Sequence, residues 1–576
     1  MSTIKPYAEI PFEESELLQT VGDRFLKVIK ALPAGHLAYV DNQTQISYQK
    51  LFDSSKALAA QLEILIPQGD EHQQHLIGLL LDPDWRELQC LLGVAFAGHF
   101  YMSLDPSLSE NQNQKLMRDY PFSVLVTTAK YRGISARLVK DRPECQLVFL
   151  DEIKDDVEEV RIPQIGYKAY QSLCFSSGST GQPRSVIRTH GAALISSFTA
   201  ATQLQINPSD RITLTSSIAI GMSTTPTIGS LLTGATIYRR MDALISPSAY
   251  YEWLKADRIT IARASAGLLR SLANLPNNVP PLDDLRMIDT GGESFSRQEI
   301  DDLLGLMPKG GKLNVRLASN EAGNYALFTV SAGDAWHGDK NPAGYAPPLI
   351  KVFTVDENRN PQQAGESGEI AVRSKFLSAG YFNDPEQTKA RFVPGPGDDE
   401  EFIYYTGDMG KISPEGLIEF FGRKDFRFKI RGYTVELEAV DAALRQITGV
   451  SASATAVQDL PSGNKRLVGY FIEEKGFNLS TVDVRQNLKQ LLPGYMIPSV
   501  ILKVDSLPLT PSGKIDRKAL PLPPVTRPEL KTLYREPQTD IEVMIASIWE
   551  KILDISPIGI DDSFFELGGD SLMSMQ

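Results

Sequence analysis

The chain has 576 residues, too many for one ordinary core, so two or more domains are expected. Hydrophobic residues at 42% and charged residues at 22% give the balance of a soluble globular protein, and the net charge of -13 argues against nucleic acid or an anionic membrane as the main partner. No secretory signal or membrane-spanning run is visible, and Cys90, Cys145 and Cys174 are scattered without metal spacing, so a cytoplasmic enzyme is expected.

Along residues 50–65, Leu51, Leu58, Leu62 and Leu65 fall on one helical face. The apolar run 75–81 stops at Asp82-Pro83-Asp84, as a buried parallel strand does. Residues 125–130, 211–217 and 259–265 read similarly, which favours an α/β layered architecture. A strand-like run, 169–174, leads into "FSSGSTGQPRS" at 175–185, a phosphate-loop composition. It is not the common NTPase loop: Gly178 and Gly181 are too close, and the basic residue, Arg184, comes only after Pro183. His190, just beyond, reads as structural or superficial.

From 347 to 373 the texture turns to β. Near Asp425 a smaller α+β unit begins, with a strand, a turn and an amphipathic helix over 427–447 and a further helix over 482–492, ending near Leu520. Residues 521–538 carry five prolines and read as a semi-rigid linker. Thr539 and Glu542 form a capping-box pattern, after which Ile541, Met544, Ile545, Ile548 and Ile552 trace one helical stripe. The expected division is therefore 1–424, a lid at 425–520, the linker at 521–538 and an all-α segment at 539–576.

Several later motifs bear on the loop. "YYTGD" ends at Asp408, an acid suited to a ribose hydroxyl pair, and "EFFGRKDFRFKIRG" sets Arg423, Arg427, Lys429 and Arg431 near the domain junction. "PLTPSGKIDRKAL" carries Lys514 just after Pro511-Ser512-Gly513, a tight turn. In this order the motifs resemble the adenylate-forming superfamily: acyl- and aryl-CoA ligases, luciferases and the adenylation domains of nonribosomal peptide synthetases.

The resemblance implies that Ser176, Ser177, Gly178, Ser179, Thr180 and Gly181 wrap the β- and γ-phosphates of ATP. Arg184 stands where the family usually has lysine, and Ser185 where it has glycine. Glu321 fits the acid that helps hold Mg²⁺-ATP, with Asn320 in place of the usual threonine. "DTGGES" at 289–294, including Gly292, resembles the backbone wall against adenine. Asp408 would bind the ribose, Arg423 the ribose or phosphates, and Lys514 would bridge the substrate carboxylate and the α-phosphate. Asp425 falls at the family's hinge, about which the lid swings between an adenylating and a thioester-forming pose.

"FFELGGDSLMSMQ" resembles a carrier domain's attachment site, which makes Ser571 the serine that receives 4′-phosphopantetheine from a phosphopantetheinyl transferase. Five residues follow Ser571, so a partial carrier domain is expected here, with downstream synthetase modules as partners. A carrier thiol in cis favours a synthetase adenylation domain over a free acyl-CoA ligase; a catalytically idle scaffold is the remaining alternative.

Adenylation domains for α-amino acids usually carry an aspartate, just after an aromatic residue, that pairs with the ammonium. Here those places fall on Gly221 and Ile220. An ammonium buried without a partner costs several kcal/mol, so an α-amino acid is disfavoured. The same counting brings Met222, Thr225, Arg263, Asp289, Arg316, Asn324 and Tyr325 to the acyl pocket. The two arginines suit a second carboxylate or a carbonyl, unless Asp289 neutralises one of them or itself meets a cationic group.

Overall fold

The computed structural model describes every residue except 1–9, 67–72, 107, 155–156, 158–161, 177–183, 219–220, 274, 276–278, 293, 337–340, 398–399, 424–426, 431–432, 460–464, 509–516, 518, 524–525, 529, 531, 565, 568 and 570–576. Two sheets dominate the first 330 residues. One has six strands in the order Gln146–Phe149, Phe122–Thr127, Leu76–Leu80, Phe100–Leu104, Tyr170–Ser176 and Arg184–Thr189. It is parallel except for its last pair. The other has eight strands, with parallel pairs through Lys312–Ser319, Met287–Gly291, Ile261–Arg263, Arg211–Thr213, Thr236–Tyr238 and Leu37–Val40 and antiparallel strands at both edges.

Helices cover these sheets on both faces, which is why Leu76–Leu80 is apolar and buried at every position rather than alternating. The expected leucine-faced helix is Tyr48–Leu65, started by the Ser47 side chain accepting from the Lys50 N–H, and it buries Leu51, Leu58 and Leu62. One core runs from Tyr39, Ile237 and Tyr325 of the eight-stranded sheet to Leu79, Val126 and Val186 of the six-stranded sheet. Between them lie helices His190–Thr202 and Gly221–Leu232, contributing Leu194, Phe198, Ile228 and Leu231. A third, antiparallel sheet follows, built on Ser367–Ser374 and Phe402–Ile412. The α/β layering expected from the sequence is present.

His190 lies at the start of its helix with no exposure. Its Nδ1 accepts from the Val21 N–H at 3.2 Å, and burial, opposed by the Asp23 charge, pushes its pKa from 6.5 down to about 4. The folded state therefore keeps it neutral while the unfolded chain takes up a proton below pH 6.5. Its contribution is intact above that pH and is lost as pH falls towards 4, a total of about 3 kcal/mol at 1.36 kcal/mol per pKa unit. His190→Gln should flatten the acid-side fall of urea-unfolding stability between those values. An unchanged slope would place the acid sensitivity elsewhere.

The unit after residue 426 pairs Val450–Asp459, Lys465–Glu473 and Val500–Lys503, with helices Leu437–Arg445 and Thr481–Leu491 closing over Val440, Leu444, Val484 and Leu488. The proline-rich stretch then runs against both neighbours. Tyr470 donates to the Pro521 carbonyl at 2.7 Å, while Arg527 grips the Asp562 carboxylate and Leu530 packs with Leu553, Ile558 and Phe564.

Helix Asp540–Leu553 begins at the capping box of Thr539 and Glu542. It buries Ala546 and Leu553 against Ile555, Phe564 and Leu567, leaving Ile541, Met544, Ile545 and Ile548 exposed. Among the described residues, no helix is long and apolar enough to cross a membrane.

Candidate active site

Strands Tyr170–Ser176 and Arg184–Thr189 pair antiparallel up to Ser176 opposite Arg184, so residues 177–183 join the two at one end of the six-stranded sheet. Ser177, Gly178, Ser179, Thr180 and Gly181 lie outside the described residues. What surrounds that end is described. Arg184 is buried with its guanidinium 5.7 Å from the Tyr381 ring centre. The Tyr381 hydroxyl donates to Glu321 Oε1 at 3.1 Å, and the Ser378 N–H donates to the Glu321 carbonyl at 2.9 Å. The Asn320 amide donates to the Phe175 carbonyl at 3.1 Å. Basic, aromatic and acidic groups thus converge at that end of the sheet from segments far apart in sequence.

A second group lies beside it. The Tyr325 hydroxyl donates to Asp408 Oδ2 deep in the core, and the Thr406 hydroxyl accepts from the Asp408 N–H at 2.9 Å. The backbones of Asp408 and Arg423 are register partners across strands Phe402–Ile412 and Ile418–Arg423, so the residues expected at the ribose and at the ribose or phosphates are neighbours in the sheet. Gly292 follows strand Met287–Gly291 with φ +93° and donates its N–H to the Arg316 carbonyl at 3.1 Å. For Ser176, Met222, Arg423 and Lys429 the backbone alone is described; Ile220, Asp425, Lys514 and Ser571 lie outside the described residues.

The acyl-pocket candidates divide sharply. Arg263, Asp289 and Asn314 form one row across three neighbouring strands, in register. Asp289 is fully buried; its Oδ2 accepts from Arg263 Nε at 2.7 Å and its Oδ1 from the Asn314 amide at 2.8 Å. Arg316 Nε lies 2.9 Å from Oδ1, an ion pair without a directed hydrogen bond. Burial alone would push the Asp289 carboxyl up, but the Arg316 and Arg263 charges outweigh it and hold it below the usual carboxylate range. Arg263 also donates to the Pro226 carbonyl and the Ser230 hydroxyl, both at 2.8 Å. Asp289 is therefore committed to both arginines. Asn324 and Tyr325 are buried on the next strand, Gly323–Ser331, where Tyr325 turns to Asp408 instead.

Residues 26–382 match the family of AMP-binding enzymes, a span that holds the loop, the Glu321–Tyr381 pair and the Asp289 row. The chain belongs to the AMP-binding enzymes. It is an adenylating ligase, and residues 545–576 match a phosphopantetheine attachment site. A linear gramicidin synthase polypeptide of Brevibacillus parabrevis is 32% identical over 569 residues, covering 96% of this chain and 11% of the synthase. Tyrocidine synthase 3 of the same species is 29% identical over 94% of this chain and 8% of its own length, so the chain spans about a tenth of such relatives. Among solved structures, an NRPS protein containing adenylation and PCP domains superposes with TM-score 0.79 at 24% identity, covering 97% of this chain and 91% of that one.

Two residues important to this arrangement were not legible as site residues. Tyr381 links Arg184 to Glu321, and its only local signal is Gly380 before it, held at φ +106° where a Cβ would meet the Thr388 side chain at 2.4 Å. Arg188 sits in the strand after the loop, RSVIRT, whose mixed polar composition gives no sign that the guanidinium is buried.

Proposed function

We propose that this chain activates a carboxylic acid without a free α-ammonium as its acyl-adenylate and passes the acyl group to a pantetheine thiol on Ser571. The observation that carries the substrate half is the commitment of Asp289. Both of its oxygens are taken by Arg263, Arg316 and Asn314, and Gly221 offers no carboxylate. Among the described residues proposed for that pocket, an ammonium would meet cations and no free anion. Arg184, Asn320, Asp408 and Arg423 would hold ATP, and Glu321 would hold magnesium. A buried carboxylate with no further acid or histidine cluster among the described residues suits an ion whose other ligands are phosphates and water. Magnesium bound there would neutralise charge on the departing pyrophosphate. Lys514 belongs to the lid, with Asp425 as its hinge, and the setting proposed is cytoplasmic with further synthetase modules downstream.

The matched attachment site supports a carrier thiol as acceptor over free coenzyme A, and the intact Glu321–Tyr381 and Asp408–Tyr325 pairs argue against an idle scaffold. Pyrophosphate exchange across amino, keto, hydroxy and dicarboxylic acids tests the substrate reading. The non-amino acids should lead, and Gly221→Asp should weaken exchange with the best of them at least tenfold by setting an unpaired carboxylate beside the acid, on the scale of about 1.4 kcal/mol per decade. A proteinogenic amino acid as best substrate would refute it.

A further inference from the structure

Arg188 is 1% exposed and lies on the face of the six-stranded sheet that meets helix Gly221–Leu232. Tyr101, Ser172 and Arg188 are register neighbours across three strands, so their side chains share that face. Arg188 Nη1 donates to the Thr225 hydroxyl at 2.6 Å, but its Nε and Nη2 have no hydrogen-bond partner among the described residues. Those two nitrogens are the parallel pair that bridges the two oxygens of a carboxylate side-on.

Among the described residues, the surrounding groups add hydroxyls and an amide but no free carboxylate. The Tyr101 hydroxyl and the Gln171 Nε2 are also buried with no well-directed hydrogen bond among the described residues, although the Gln171 amide lies against Tyr101, and Gln171 Oε1 is occupied by the Ser172 hydroxyl at 2.7 Å. Burial pushes the Tyr101 pKa up, so its proton stays in place. Glu87, whose charge also reaches Tyr101, is already held by Arg239 Nη1 at 2.9 Å. A buried cation with no counter-anion among the described residues is costly unless a ligand supplies one.

Thr225 and Gly221 are four residues apart on one helix and share a face, about 6 Å apart along its axis. On the proposed assignment, the corner where an amino-acid domain carries its aspartate has glycine on the helix and, one turn along at Thr225, a guanidinium with no counter-anion among the described residues. We infer that Arg188, with Tyr101 and Gln171, binds a second, non-reacting carboxylate of the substrate, so that the acid activated is a dicarboxylic acid. This rests on the proposed assignment of residues 220–225 to the acyl pocket. Arg188 is then a specificity-determining residue, and Arg263 and Arg316, spent on Asp289, are not.

The test is pyrophosphate exchange by the whole chain with length-matched pairs, succinate against butyrate and glutarate against pentanoate, with 2-oxobutanoate and the standard amino acids as further arms. The dicarboxylates should exceed their partners by about ten- to a hundredfold in kcat/KM, the range of a charge-assisted hydrogen bond. Arg188→Met should erase that preference chiefly through KM and should melt no lower than the wild type, since it removes an uncompensated buried charge. Arg188→Lys, which keeps the charge without the fork, should fold and lose most of the preference. Tyr101→Phe should lose a smaller part. If Arg188→Met melts lower and Arg188→Lys leaves the acid ranking unchanged, Arg188 is structural and the inference fails. A preference for 2-oxobutanoate over both dicarboxylates also overturns it while sparing the non-amino-acid reading; a preference for a standard amino acid overturns both.

Discussion

Lys514→Ala should lower adenylate formation by about two to three orders of magnitude while the protein remains folded, the scale seen when one preorganised donor to a transition-state oxyanion is removed. On the proposed reading, the lysine ammonium meets negative charge that grows only as the carboxylate attacks the α-phosphate. Its loss is therefore felt in kcat more than in the binding of either substrate. Transfer from a supplied acyl-adenylate to a thiol should suffer much less, because the second pose of the lid withdraws the residue. Separate assays of pyrophosphate exchange and of thioester formation make the comparison. Equal losses in both half-reactions would rule out an alternating lid with Lys514 at its tip.

How far the sequence reached depended on whether an arrangement was local. The helix over 48–65 and the strand over 76–80 were visible because period and length are properties of a single segment, and Ser47 supplies the cap within it. The run 211–217 looked equally strand-like, yet its strand is only Arg211–Thr213. Helix Asp540–Leu553 shows the limit of periodicity. Its isoleucine-rich face is apolar, but the face that is covered carries Ala546 and Leu553, because residues 555–567 and Leu530 return on that side. The site follows the same rule. The resemblance to the family implies Arg263, Asp289 and Arg316 as pocket residues, whereas their pairing follows from the order of strands Ile261–Arg263, Met287–Gly291 and Lys312–Ser319 in the sheet. Arg188 and Tyr381 owe their roles to partners 37 and 60 residues away, so no local pattern marks them.

Asp289→Ala should destabilise the fold by about 3–5 kcal/mol, the cost of breaking a buried ion pair by removing one partner. Here the loss leaves two guanidinium groups facing each other across the strand between them, with Arg263 almost wholly buried. Burial already lowers the Arg263 pKa and Arg316 lowers it further, while Asp289, with a smaller contribution from Asp210, opposes them. Asp289→Asn should lose less, since an amide oxygen still accepts from Arg263. Adding Arg263→Met to Asp289→Ala should recover part of the loss, because contacting partners are not additive. The pH sense is set by the lowered carboxyl: its stabilisation is present above the ordinary carboxylate pKa of about 3.9 and fades as pH falls through the folded value. Urea unfolding of the four proteins at neutral and acidic pH measures all of this. The contrary result is specific. If Asp289→Ala unfolds like the wild type yet abolishes exchange with an amino acid, the carboxylate is an ammonium anchor rather than a clasp for two arginines, and the non-amino-acid substrate falls with it.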